Sequence, residues 1–265
     1  MVLRIFVLFL GLLIFAMPAE AYMGQKKGKS GKGKTRDARA PYEYFEERGL
    51  FATGLQAVFP TGVTCEGVAS PYGSQTRYDG SRRNNDHHNY HNGLDISLKI
   101  GTPLLAMADA TIVHAGTAGQ LVGHYVWLQY APNDTDLPDY VYMRYQHLDQ
   151  PTDRQIGSRV SKGQVVGLSG RSGTMGGHFG KAGYPHLHMN ILISQSERYS
   201  IKGPQLGPKF MHYFDPLGLF VTPVLDHLNN YLLKDLVNKQ VNIAVQTPQG
   251  IVPPDARLIW PVACR

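Results

Sequence analysis

What the sequence has little of narrows its chemistry first. Two cysteines in 265 residues leave no room for a multi-thiol metal site or a disulfide-dense scaffold. No H-E-x-x-H pattern occurs, so the helical metal site that carries its own glutamate base is missing. Beyond the first residues no apolar run approaches the roughly 20 needed to cross a bilayer. Nor does the bulk of the chain carry an excess of one charge. Residues 40–265 hold 18 basic and 18 acidic side chains, which offers no basic stripe for nucleic acid.

The formal charge of +6 therefore sits elsewhere. Between Tyr22 and Arg39 lie Lys26, Lys27, Lys29, Lys32, Lys34, Arg36 and Arg39 against the single acid Asp37. This Gly/Ser/Lys tail cannot bury apolar surface and reads as a disordered linker, or as a tether to anionic polymers of a cell envelope by attraction that salt would screen. It follows MVLRIFVLFLGLLIFAMPAEA, where Arg4, an apolar run from Ile5 to Met17 and the small residues Ala19 and Ala21 have the form of a secretory signal cleaved after Ala21. No other stretch reads as a membrane span, so export to a periplasm or the medium is expected. In an exported chain Cys65 and Cys264 are most simply a disulfide.

Short alternating runs punctuated by turn residues dominate the rest: GLDISLKI, ATIVHAG, YVWLQY, YVYMRYQHL, GQVVGLSG and PHLHMNILI. One helical pattern stands out. From Thr222, with Pro223 as first helical residue, Leu225, Leu228, Leu232 and Leu236 recur at spacings of three and four to about Asn238. The expected fold is mainly β, an antiparallel domain with one C-terminal helix. The expected organisation is a signal peptide (1–21), a basic linker (22–39), a segment packing on the domain (40–62), the β domain (63–220), and the helix with its tail (221–265).

Strand alternation sorts the histidines. In PHLHMNILI, His186, His188 and Asn190 share one face while Leu187, Met189 and Ile191 face a core. In HNGLDISLKI the apolar face of Leu94, Ile96, Leu98 and Ile100 leaves Asp95 on the other side, joined by His91 if the strand extends back that far. In YVYMRYQHL the same alternation groups Met143, Tyr145 and His147 on a non-core face. H-x3-D and H-x-H each bring two ligand types within reach of one ion, and zinc takes His nitrogen with Asp oxygen.

HNGLD, YQHL and PHLH, in that order, resemble the motifs of the lysostaphin/LytM-like zinc endopeptidases of peptidoglycan. The similarity runs on through GTPLLAMADATIVHAG, GSRVSKGQVVGLSGRSG and FDPLGLF, over about 150 residues. It implies a duplicated hybrid motif-like β domain and one Zn²⁺ per chain held by His91, Asp95 and His188. It further implies His147 and His186 as the catalytic pair and peptidoglycan as the partner. Departures are Gly183-Tyr184 where the family usually has Thr-Gly, and a longer GTMGGHFGKAGY segment. His87 and His88 match no family position and are expected not to be ligands. Two other readings remain open at this point: a non-catalytic wall-binding or amidase-activating relative, and an exported protease of ordinary proteins.

Overall fold

The structure is a computed structural model that describes residues 42–83, 90–174 and 183–265. The signal peptide, the basic linker, His87, His88 and most of GTMGGHFGKAGY lie outside the described residues. Among those described, no helix is long and apolar enough to cross a membrane.

All six apolar alternating runs form strands: Leu94–Ser97, Ala110–Thr117, His124–Tyr130, Tyr140–Leu148, Val165–Leu168 and His186–Ser194. Five of them join the main sheet. Its order is Val68–Ser70, Leu94–Ser97, His186–Ser194, Tyr140–Leu148, His124–Tyr130, Ala110–Thr117 and Arg159–Val160, with His212–Tyr213 also pairing on His186–Ser194. Every pairing in it is antiparallel. The sixth, Val165–Leu168, pairs instead with Pro103–Leu105.

The sheet has two buried faces. Leu94, Ile96, Val126, Leu128, Leu187, Met189 and Ile191 build the main core, as their alternation anticipates. Val113, Tyr125, Trp127, Tyr142 and Leu192 form a smaller cluster on the other side with Leu206. Leu206 comes from a hairpin, Tyr199–Lys202 with Gln205–Pro208, that the strand patterns did not reveal. All nine residues of His186–Ser194 are buried, so its polar side chains must find partners inside the protein.

Alternation fails in Tyr140–Leu148. Met143 and Tyr145 are fully buried in the main core, not on a non-core face. His147 is separated from them by a local irregularity. Tyr125 pairs with Gln146 and His124 with Leu148, which leaves His147 as an extra residue, with a left-handed φ of 63°. Such a bulge re-aims a side chain without ending the strand, and histidine is among the residues that accept this conformation.

The expected helix is also different. It spans only Asn230–Asp235, capped by the Asn229 side chain accepting from Tyr231 N. Leu228 and Leu233 are buried while Leu232 is 45% exposed, so the leucines do not form one stripe. Polar anchors decide where the helix starts. Asp139 accepts the Leu228 N–H, and buried Asn230 donates to the carbonyl of Gly49 and accepts from Asp215 N. These long-range bonds outweigh the weak helical preference of the preceding segment.

The N-terminal and C-terminal parts both lie against the sheet. Phe45 and Leu50 cluster with Tyr72, and Gln56–Val58 pairs in parallel with Gln240–Asn242. Leu258, Trp260, Val262 and Cys264 belong to the main core, where the Trp260 indole donates to the Glu66 carbonyl at 3.0 Å. Cys264 is bonded to Cys65 across a sequence separation of 199. Non-reducing peptide mapping of purified protein should therefore recover a Cys65–Cys264 peptide. Reduction should lower the unfolding free energy by about 5 kcal/mol, the chain-entropy value for so long a loop. Two free thiols, or unchanged stability after reduction, would contradict the pairing.

Candidate metal centre

Register places the first two ligand candidates. His188 lies directly across from Asp95 in the antiparallel ladder, a position where opposed side chains meet. His188 Nδ1 stands 2.8 Å from Asp95 Oδ1. His91 lies outside the strand, which begins at Leu94. It arrives through three bonds to the segment 71–74: its N–H donates to Ser74 O, its carbonyl accepts from Gly73 N, and its Nδ1 is 2.9 Å from Pro71 O. The last contact makes Nδ1 the donor and turns Nε2 towards the other two, 3.1 Å from both Asp95 Oδ1 and His188 Nδ1.

Gly93 makes this approach possible, and no property of it was drawn from the sequence. A Cβ there would lie 2.6 Å from Met189 O and 2.7 Å from His188 Nε2. Only hydrogen fits between the HNGLD turn and the His188 ring.

The three donors suit a metal ion. All lie within 4.8 Å of one another and are buried, and their separations of 2.8–3.1 Å are slightly tighter than the roughly 3.3 Å between tetrahedral ligands placed about 2.0–2.1 Å from zinc. Three lone-pair donors turned on one point need a proton or a cation between them. The second oxygen of Asp95 is steadied from behind, since Arg83 Nη2 lies 3.6 Å from Oδ2 and donates to Ser70 Oγ at 2.6 Å. Such outer contacts fix which oxygen faces the ion.

Two further imidazoles face the cluster. His147 Nδ1 is 2.8 Å from Ser172 O, and His186 Nδ1 is 2.9 Å from Tyr184 O. Each ring therefore carries its proton on Nδ1 and offers Nε2 as an acceptor. Their centroids are 4.6 Å apart, and His186 Nε2 lies 3.8 Å from Asp95 Oδ1. Tyr184, one of the departures from the family pattern, stacks on His186 at 4.3 Å and 18°. All five residues singled out from the sequence thus converge.

Burial governs the charge states. It pushes the His188 imidazole down to about 4, and it holds His147 well below its ordinary value, assisted by the nearby His186 and His188 rings. His186 is lowered by the same desolvation. Burial would raise the Asp95 carboxyl, but the His91, His186 and His188 rings together hold it well below the usual range. At neutral pH His147, His186 and His188 are therefore neutral and Asp95 is ionised, the forms in which imidazole and carboxylate bind a metal.

Residues 89–200 match the family model described as Peptidase family M23. The chain carries an M23 peptidase domain. Among similar proteins is the peptidoglycan DD-endopeptidase ShyA of Vibrio cholerae, 34% identical over 104 residues, which is 39% of this chain and 20% of that protein. Another is the glycyl-glycine endopeptidase ALE-1 of Staphylococcus capitis, 30% identical over 114 residues, covering 43% of this chain and 28% of the relative. These alignments thus span only 20% and 28% of the relatives' own length. Among solved structures, the catalytic domain of lysostaphin from Staphylococcus simulans aligns with a TM-score of 0.35 and 20% identity, covering 67% of this chain and 95% of that one. The five converging residues all fall within the M23 domain.

Two outcomes test the geometry. Gly93→Ala should displace the His188 ring and reduce the metal content of the purified protein, whereas full metal content would show that the contact is not limiting. The metal-free protein should lose stability on acidification. With His188 near 4 when folded and about 6.5 when unfolded, the unfolded chain binds more protons between those values, so stability is fully present above about 6.5 and falls as pH drops. Asp95 adds nothing in that window, because its stabilisation is lost only below the ordinary carboxylate range. Urea unfolding in chelator should show a loss on the order of 2 kcal/mol at pH 5 relative to pH 7; a flat profile would contradict it.

Proposed function

We propose that the chain is an exported zinc-dependent endopeptidase that hydrolyses peptide cross-links or stem peptides of bacterial peptidoglycan. One observation carries the reading: His91, Asp95 and His188 converge at donor–donor distances of 2.8–3.1 Å directly beside the paired acceptors of His147 and His186. The M23 match and the wall-directed names of the relatives support the substrate class. A non-catalytic wall-binding role is disfavoured because all five positions are kept.

His91, Asp95 and His188 would hold the zinc, which would supply Lewis acidity and lower the pKa of a nearby water towards about 7. The rest of the chemistry belongs to the chain. His147 and His186 are neutral and present Nε2 lone pairs, so either can accept a proton from the attacking water. Once protonated, the same nitrogen is a donor placed to stabilise a developing oxyanion or to pass its proton to the departing amine. The carbonyls of Ser172 and Tyr184 hold both rings in that tautomer. Arg83 keeps the negative charge of Asp95 balanced. Cleavage of the signal after Ala21 and a wall-directed role for the basic residues 24–39 complete the proposed path to the envelope.

Purified mature protein should contain about one zinc per chain and release amines from sacculi but not from casein, and a chelator should abolish that activity. His188→Ala should lose zinc and activity together, while His147→Ala should keep its zinc and slow turnover by roughly 10² or more. Zinc loss in His147→Ala would reverse the assignment of roles, and undiminished hydrolysis after zinc removal would end the reading.

A further inference from the structure

Along the strand that holds His186 and His188, the next residue on the same face is Asn190, and its register partner on the neighbouring strand is Arg144. Arg144 is buried to 4% exposure, yet among the described residues no carboxylate pairs with it. Its Nε and Nη2 donate to Asn190 Oδ1 at 3.2 and 2.6 Å, and its Nη1 donates to the Pro204 carbonyl and to Gln205 Oε1 at 3.1 and 3.2 Å. The guanidinium also lies 5.0 Å from the centroid of the Trp127 ring. Every one of these partners is neutral.

Removing a full charge from water costs several kcal/mol, a penalty that an opposite charge normally offsets. Here burial lowers the pKa of the group to about 10, a shift that the nearby Tyr213 and Tyr125 hydroxyls oppose only in part. A core arginine held only by neutral acceptors leaves local positive charge unbalanced, and the space beside it is hollow. A cavity of about 340 Å³ lies between this sheet face and the Tyr199–Pro208 hairpin, with Arg144, Lys202, Ser200 and Asn92 in its lining and, among the described residues, no acidic one. That volume is in the range of small-ligand sites.

Two lining residues of the cavity tie it to the candidate metal cluster. Asn190 lies two residues beyond His188 on the same strand face, and Asn92 follows His91. Asn190 Nδ2 donates to the Asn92 carbonyl at 2.6 Å, so the side chain that holds Arg144 also holds the loop carrying a ligand candidate.

We propose that this cavity is a carboxylate-binding subsite beside the candidate metal centre, where Arg144 and the exposed Lys202 receive a free carboxylate of the substrate peptide close to the scissile bond. The inference rests on the hydrolase reading of the neighbouring cluster. Four of the five guanidinium hydrogens are committed to protein acceptors, which leaves one Nη2–H for the ligand. Lys202 supplies the second positive charge from the hairpin side. Trp127, Leu192 and Met211 give the cavity an apolar wall for the carbon skeleton bearing the acid. A substrate whose carboxylate is amidated would keep the apolar contact and lose the charge match.

The test compares an uncross-linked stem tetrapeptide with the same peptide bearing every carboxylate as an amide, each titrated calorimetrically into the zinc-loaded full chain. The acid should bind about tenfold tighter or better, and 0.5 M salt should shrink the difference, as expected of charge-assisted contacts. Lys202→Gln, a change at an exposed position, should cut the preference about threefold without altering zinc content, and Arg144→Lys should cut it further. Should Arg144→Lys fail to fold, the Lys202 arm alone decides. Equal affinities for acid and amide, no binding of either, or a full preference retained in Lys202→Gln would overturn the subsite. Sacculus hydrolysis measured in parallel separates the two ideas. Hydrolysis without an acid preference sinks the subsite alone, whereas an acid preference without hydrolysis sinks the hydrolase reading and leaves the subsite standing.

Discussion

The pairing of His188 with Asp95 across two antiparallel strands is the constraint on which the rest of the site depends. It joins residues 93 positions apart in sequence at one rung of the sheet. A slip of the 186–194 strand by one residue would turn His188 into the apolar core and bring Leu187 or Met189 opposite Asp95. The register is held by Leu94, Ile96, Leu187 and Met189 on the opposite face, so the hydrophobic core sets the position of the ligands without touching them. Everything else converges on that rung: His91 from a loop tied to residues 71–74, Arg83 from behind the carboxylate, and His186 from two residues along the same strand.

Much of this was readable because strands have a period of two. The spacing of His186, His188 and Asp95 against their apolar neighbours placed all three on one face, and the six strand candidates all formed. Where the reading failed, a local departure from that period was responsible. His147 reaches the site only because it is an extra residue in its strand with a positive φ. Strict alternation puts it beside Met143 and Tyr145, which point into the core. The sequence YQHL names the residue but carries no mark of the bulge.

Gly93, Arg83 and Arg144 were passed over for a different reason. Their significance lies in what packs against them from far along the chain: the His188 ring, the Asp95 carboxylate and the Tyr199–Pro208 hairpin. None of these distances can be computed from spacing. Arg144 did leave a signal, since alternation puts it on the face opposite Met143 and Tyr145, but an arginine in a strand ordinarily means a solvated edge. The leucine spacing after Thr222 misled in the opposite way. It met the helical template, yet the bonds made by Asp139 and Asn230 drew the segment into turns before the helix begins.

The placement of residues 258–264 has a consequence in time as well as in space. Leu258, Trp260 and Val262 fill the same core that backs the strands of the candidate metal centre, and Cys264 clamps that filling to Cys65. A chain synthesised from its N-terminus contains all five candidate site residues well before this plug is made, with the main core still unfinished. The core behind the candidate metal centre is thereby closed by residues 258–264, far along the chain from the strands that it supports.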